Sequence, residues 1–444
     1  MITHAGLAFM SGWTPSLLAG SPLHLAPTLR RSFGRFFPET VGSQLLRRGL
    51  SLLPATSSDW LNQESQSFDD YIKSLYGKTF NSIAVLRDWP VFPFQDLLNR
   101  PSGGSAYQGG PALPSEYQLP ALFHFRGTSR LDDPVLASSG VDHGQQILLH
   151  GRYFWCGPIC HHFGHQIADF SGRVLLASLD PRPGRLLWHW YRPPCRRPSL
   201  RRLSEWQRTL MRYLNPLGKP VTLLQRPARV EELVIVPQQQ RMRASPTPDH
   251  LAALTICSRQ WIRQPIDRLV YVSRSRYSPC RDRVSLRGSF AGEIQLEQLL
   301  QERGAMIVYP ESLSLSQQLG LYRNARAIVF AEGSAQHGLE LMGYQPQTRV
   351  MVICRRPQLP GMDLPLRARF PSLYFCQAVC EYFAPPDGVA WDAIAMLDME
   401  KLSAGLADFL GLYLDAREIQ ILQKSAENQV RQLQARMALV KLPC

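Results

Sequence analysis

A chain of 444 residues exceeds what one hydrophobic core of ordinary size supports, so two or three domains are expected. With 45% hydrophobic, 10% aromatic and 19% charged residues, no repeat period and no long biased tract, it is neither a solenoid, nor fibrous, nor largely disordered. The net charge of +14 invites an anionic partner, and nine cysteines, an odd number over so long a chain, exclude a small disulfide-stapled secreted domain and point to a reducing cytoplasm.

The first stretch, "MITHAGLAFMSGWTPSLLAGSPLHLAP", lacks a basic leading region and is broken by Trp13 and Pro15, so neither a signal peptide nor a bilayer span is expected from it. Residues 27–53 mix arginine with Phe and Leu. They read as a basic surface helix, with peripheral contact to an anionic membrane as the alternative. "RPSGGSAYQGGPALP" (100–114) is a loop inside an N-terminal domain, because Gly loosens the backbone and Pro removes donors. "QQILLHGRYFW" (145–155) alternates as a strand does, and 161–179 then switches to helical spacing.

That helix follows from "CGPICHHFGHQIADFSGRVLLA" (156–177), which concentrates thiols and imidazoles. Cys156, Cys160, His161, His162 and His165 could surround zinc, but C-x3-C followed at once by H-H is not a common structural spacing, and no metal is expected. The arginine-rich "YRPPCRRPSLRRLSEWQRTLMRY" (191–213) reads as a solvated surface. No compact nucleic-acid motif accompanies it, so no nucleic-acid partner is expected. A new apolar strand begins at "VEELVIVPQ".

From residue 268 the pattern is regular: "RLVYVSR", "GEIQLEQLLQER", "GAMIVYP", "LSLSQQLGLYRNA", "RAIVFAEG", "SAQHGLELMGY", "TRVMVICR". Strands alternating with three-turn helices describe βαβ units and a parallel sheet whose ligands meet the carboxyl ends of its strands. The final segment, 415–442, carries one apolar stripe through Ile419, Leu422, Ala426, Val430, Leu433, Met437 and Val440. It reads as a helix packed on the body, with a homo-oligomer contact as the alternative.

Two constellations carry chemistry. His165 and Asp169, four apart, share a helix face, where the carboxylate can orient the imidazole as a general base; an ordinary surface pair is the plain alternative. In "FAEGSAQHGLEL" a strand passes through Glu332 and Gly333 to a helix starting at Ser334, with backbone N–H groups and a dipole suited to phosphate. Glu332 and Glu340 are eight apart, and the carboxylate on the following helix could bind ribose hydroxyls, with a coincidental spacing as the alternative. Arg274, directly after "RLVYVS", could clamp a diphosphate or simply sit in a salt bridge.

Taken in order, "GHQIAD", "YVSR", "GE" and "IVYPESLSLSQQLGLYRNARAIVFAEGSAQHGLELMG" resemble glycosyltransferase family 61, the DUF563 group of bacterial capsular and cell-surface polysaccharide enzymes, over about residues 145–350. The resemblance implies an inverting, metal-independent hexosyl- or pentosyltransferase without a cofactor. It implies a GT-B-like α/β fold: two Rossmann-like domains with parallel sheets facing a cleft, divided as 1–228 for the acceptor, 229–395 for a nucleotide-sugar donor, and 396–444 as a helical segment. His165 and Asp169 fall on the family's catalytic pair. Arg274, Glu293, Gln318, Glu332, Gly333 and Ser334 fall on donor-side motifs, with His337 beside them. The family's tryptophan after the histidine is Gln166 here, the Asn before Glu293 is Gly292, and its His-Gly-Ala turn is Glu-Gly-Ser. The expected partners are a nucleotide-sugar and a glycan acceptor, in the cytoplasm or at the inner face of the membrane. The alternative is an inactive GT-B-like protein that binds a glycan or nucleotide.

Overall fold

The computed structural model describes residues 83–96, 107–113, 120–130, 132–133, 146–190, 200–277, 289–356, 361–386, 393–436 and 438–442. The basic segment 27–53, residues 100–106 and 114 of the expected loop, residues 191–199 of the arginine cluster and Met437 lie outside them, and Tyr107–Pro111 of that expected loop form a strand instead. The chain forms two compact units, one running to Arg263 with Leu341–Tyr344 added, the other comprising Gln264–Glu340 and Gln345–Cys444.

Among the described residues unit 1 has nine strands: β1 (Ala84–Asp96), β2 (Tyr107–Pro111), β3 (Phe125–Arg126), β4 (Ser129–Arg130), β5 (Asp132–Asp133), β6 (Ile147–Ile159), β7 (Arg185–Trp190), β8 (Val221–Leu224) and β9 (Ala228–Ile235). Seven of them form one sheet in the order β5-β2-β1-β9-β6-β7-β8, and β3 and β4 form a separate hairpin. Strands β9, β6, β7 and β8 run parallel, whereas β1 is antiparallel to both β2 and β9. The sheet is therefore mixed and not wholly parallel as expected, because the connection from β1 to β2 is too short for the crossover that parallel neighbours need. Phe154, Trp155 and Trp188 are buried in its middle. The expected division at 228/229 falls at the start of β9, which is bonded to β1 and β6 on either side and cannot leave unit 1.

The single helix expected over 161–179 is three pieces: an α-turn Phe163–His165, a π-turn Gln166–Phe170 and a helix Val174–Leu179. The break has a local cause. Ser171 Oγ donates to Gln166 O at 2.7 Å, and Gly172 lies so close to the chain leaving β9 that a Cβ there would stand 2.0 Å from Gln240 O.

Unit 2 holds a five-stranded parallel sheet of β10 (Ile266–Val272), β11 (Met306–Val308), β12 (Ala325–Ala331), β13 (Arg349–Ile353) and β14 (Leu373–Cys376), in the order β11-β10-β12-β13-β14. The chain steps from β10 outward to β11 and then returns to the other side of β10, so the strand order reverses between β10 and β12. A small antiparallel sheet follows, from β15 (Val379–Ala384), β16 (Ile394–Leu397) and β17 (Val440–Leu442).

The last helix runs Ala416–Arg436, ending before Val440, which pairs in β17 instead. Its stripe does pack on the body: Leu422, Ala426, Val430 and Leu433 join the core formed with Leu296, Leu300, Leu402 and Leu406. Residues 396–444 thus belong to unit 2 and are not a separate segment. Leu422 is fully buried there, and Leu422→Ala should lower unfolding free energy by about 2–5 kcal/mol in denaturant titration, the usual cost of emptying such a site.

Candidate active site

Where the strand order of a parallel sheet reverses, the loops at the carboxyl ends diverge and leave room for a ligand. In unit 2 that place is flanked by Arg274, two residues beyond β10, and by Glu332 and Gly333 directly beyond β12. The Arg274 side chain lies across Gly333, where a Cβ would stand 1.9 Å from Nη1 and 2.5 Å from Cζ. Glycine is needed here for space, since the backbone itself forms the floor under the guanidinium. Burial lowers the Arg274 pKa, against the opposing pull of Tyr277, Glu293, Glu332 and Glu311.

Glu332 is fully buried, and both carboxylate oxygens are engaged on neighbours from β13. Oε2 accepts from the Arg355 backbone N–H at 2.9 Å, and Oε1 accepts from Arg356 Nε at 2.7 Å and from Arg356 Nη2. Arg355 Nε donates to the Glu332 carbonyl at 3.2 Å. Burial, with Arg356 and Arg274 acting in the same direction, brings the Arg355 guanidinium down to about 10 although Glu332 opposes it. These two arginines escaped the sequence reading, yet "RVMVICRR" ends a strand in arginine just as "RLVYVSR" does.

Ser334 opens a 3-10 helix, Ser334–Leu341, in place of the expected α-helix. His337 Nδ1 and Glu340 Oε1 pair within it at 2.6 Å, and the Glu340 carbonyl accepts from Arg369 at 2.8 Å. Gln318 lies elsewhere in unit 2: its amide donates to Pro310 O and Leu313 O at 2.9 and 3.2 Å, closing the turn after β11.

Glu293 begins the helix Glu293–Glu302 and reaches under the end of β10. Its Oε1 accepts from Arg274 N at 2.8 Å, Ser273 Oγ at 3.2 Å and Tyr271 OH at 3.3 Å. Ser273 Oγ is also 2.5 Å from Oε1 of Glu297, one turn further along, and Tyr309 OH donates to Glu297 Oε2 at 2.8 Å. Glu293 Oε2 is buried without a hydrogen bond. Burial pushes the Glu293 carboxyl up to about 7, Glu297 adding to it and the Arg274 N–H opposing it.

In unit 1 His165 ends the α-turn and Asp169 lies in the π-turn that follows, with their side chains together as the i, i+4 spacing anticipated. His165 Nδ1 stands 2.8 Å from Asp169 Oδ2, with 41% of the imidazole side chain exposed and 1% of the carboxylate. π-turns occur often at functional sites. Arg126, at the end of β3, is the member that sequence spacing missed: Nε donates to Asp169 Oδ1 at 3.2 Å, Nη2 to Oδ2 at 2.5 Å, and Nη2 is 2.9 Å from His165 Nδ1. Gln238 sets this geometry, because its side-chain amide bonds both backbone groups of Phe125 and donates to Asp169 O at 2.9 Å. Burial works to raise the Asp169 pKa, but the bonds from His165 and Arg126 outweigh it and hold the carboxyl low, so it is ionised at neutral pH.

Nδ1 thus faces an acceptor, Asp169 Oδ2, and a donor, Arg126 Nη2; with its proton on Nδ1 the imidazole donates to the carboxylate and keeps the Nε2 lone pair. The other polar residues of this stretch are turned to structure. His161 stacks on Trp190 at 5.0 Å, Cys160 Sγ accepts from His162 N at 3.3 Å, and Cys156 is fully buried. Among the described residues no group of three or more His, Cys, Asp or Glu side chains is placed to hold a metal ion.

An α/β chain with a parallel sheet, arginines at its carboxyl edge and a carboxylate-oriented histidine has the parts of a group-transfer enzyme. Residues 163–351 match the family model described as Glycosyltransferase 61, so this stretch of the chain is similar to that family. The match takes in His165, Asp169, Arg274, Glu293 and Gly333, supports glycosyl transfer as the activity, and ends before Arg355 and Arg356. No curated protein matches the chain. Among the described residues, no helix is long and apolar enough to cross a membrane.

Glu293 offers a test that needs no substrate. The folded protein binds this proton more tightly than the unfolded chain, whose carboxyl has the ordinary value of 4.5, so its stabilising effect is full below 4.5 and lost as pH rises through about 7. Glu293→Gln should remove that fall and leave the variant up to about 3 kcal/mol more stable than wild type at pH 8, read from denaturant unfolding at several pH values.

Proposed function

We propose that this protein transfers a sugar from a nucleoside diphosphate donor to a hydroxyl of a glycan acceptor, with inversion and without a metal, in the synthesis of a surface polysaccharide. The two units are then the acceptor and donor halves of a GT-B-type enzyme, working in the cytoplasm. The observation that carries the donor assignment is the Arg274 guanidinium laid on the bare Gly333 backbone where the strand order reverses.

In this reading Arg274 and the backbone N–H groups at Ser334 face the diphosphate, while His165 Nε2 takes the proton of the acceptor hydroxyl. The freed oxygen bonds to the anomeric carbon as the bond from that carbon to the phosphate oxygen breaks, and the electron pair leaves on the diphosphate. Positive charge waiting where negative charge develops lowers the barrier. Asp169 stabilises the imidazolium that forms, and Arg126 keeps the carboxylate in place.

A thermal-shift screen against UDP-, GDP-, CMP- and TDP-sugars tests the donor class, since a ligand at 100 times its dissociation constant stabilises by roughly 2.7 kcal/mol. With the donor identified, His165→Ala should cut transfer by about 100-fold or more while donor affinity stays within twofold, and Asp169→Asn should cost less. Full transfer by His165→Ala would remove His165 as the base. The anomeric configuration of the product, read by NMR, tests inversion, and undiminished turnover in chelator tests metal independence.

A further inference from the structure

The arginines after β13 have more positive charge than their surroundings use. Backbone register makes Ala331 of β12 the neighbour of Ile353 of β13, and Val272 of β10 the neighbour of Phe330 of β12. Arg274 and Arg355 therefore emerge on either side of the end of β12, with Glu332 and Gly333 between them. Glu332 is committed to the Arg355 backbone and the Arg356 guanidinium. The Arg355 guanidinium bonds through Nε to a carbonyl, and neither of its terminal nitrogens has a hydrogen-bond partner among the described residues. Arg355 is nonetheless half-buried.

A half-buried guanidinium next to two others is an unfavourable arrangement unless an anion joins it. One carboxylate cannot neutralise both Arg355 and Arg356, and a solvated surface cluster would not bury one of them. Arg355 and Arg356 can contribute rigid forks of donors suited to phosphate oxygens.

We propose that Arg355 joins Arg274 in binding the two phosphates of the donor, and that Glu332 acts as an internal counter-ion that fixes Arg356 and the Arg355 backbone in readiness for them. Arg356 is a positioning residue in this cradle. This rests on the reading of unit 2 as the donor site and adds to it residues beyond the family match.

Calorimetric titration of the full chain with inorganic pyrophosphate and with UDP, GDP and TDP tests it. Arg355→Gln should weaken pyrophosphate binding tenfold or more with an unchanged thermal midpoint, and Arg355→Lys, which keeps the charge but loses the fork, should fall between the two. Glu332→Gln should tighten pyrophosphate severalfold, because a negative charge leaves the cradle. If Arg355→Gln and Arg355→Lys bind pyrophosphate as wild type does while Arg274→Ala does not, Arg355 is outside the cradle and the proposal is wrong, though the donor site stands. If wild type binds neither pyrophosphate nor any of the three nucleotides, the donor reading itself falls, and this proposal with it.

Discussion

A guanidinium resting on main chain that carries no side chain is the contact on which the carboxyl edge of unit 2 depends. Arg274 can lie flat beyond β10 only because residue 333 is glycine, and its backbone is held from below by Glu293. The floor, the fork and the buried carboxyl come from β12, β10 and the helix after β10. Each is placed by the parallel sheet, so the site is a property of the topology as much as of any one residue.

The two units treat buried charge alike. In each, one buried carboxylate serves more than one cationic or polar partner: Asp169 serves Arg126 and His165, and Glu332 serves Arg355 and Arg356. A fully desolvated carboxylate is costly unless its lone pairs are satisfied, and sharing achieves that while orienting two donors at once. Glu293 solves the same problem differently, by holding a proton at pH values where an exposed glutamate would be charged.

The βαβ run of unit 2 was legible because short Val/Ile strands alternate with helices of about three turns, and β10 to β13 lie where that rhythm put them. The His165–Asp169 pair was legible because four-residue spacing brings side chains together even where an α-turn passes into a π-turn. What stayed hidden was non-local. Arg126 reaches Asp169 from 43 positions earlier in the chain, and nothing in its neighbourhood marks it. The antiparallel pairing of β1 with β9 likewise joins segments over a hundred residues apart, so no window of sequence contains it. The helix broke at Ser171–Arg173 because the chain after β9 passes close to Gly172, a demand invisible in the helical stripe.

Gly292, at a φ of +84°, turns the chain into the helix that begins with Glu293, and its N–H donates to Gln429 of the last helix at 2.9 Å. Through Glu293 this bond reaches Arg274. A chain emerging from the ribosome has all five parallel strands of unit 2 by Cys376, yet it lacks the helix that steadies the turn at Gly292 until some fifty residues later. The arginine edge is therefore assembled late in synthesis, and a nascent chain halted before Gln429 has the sheet without the brace at the turn into the Glu293 helix.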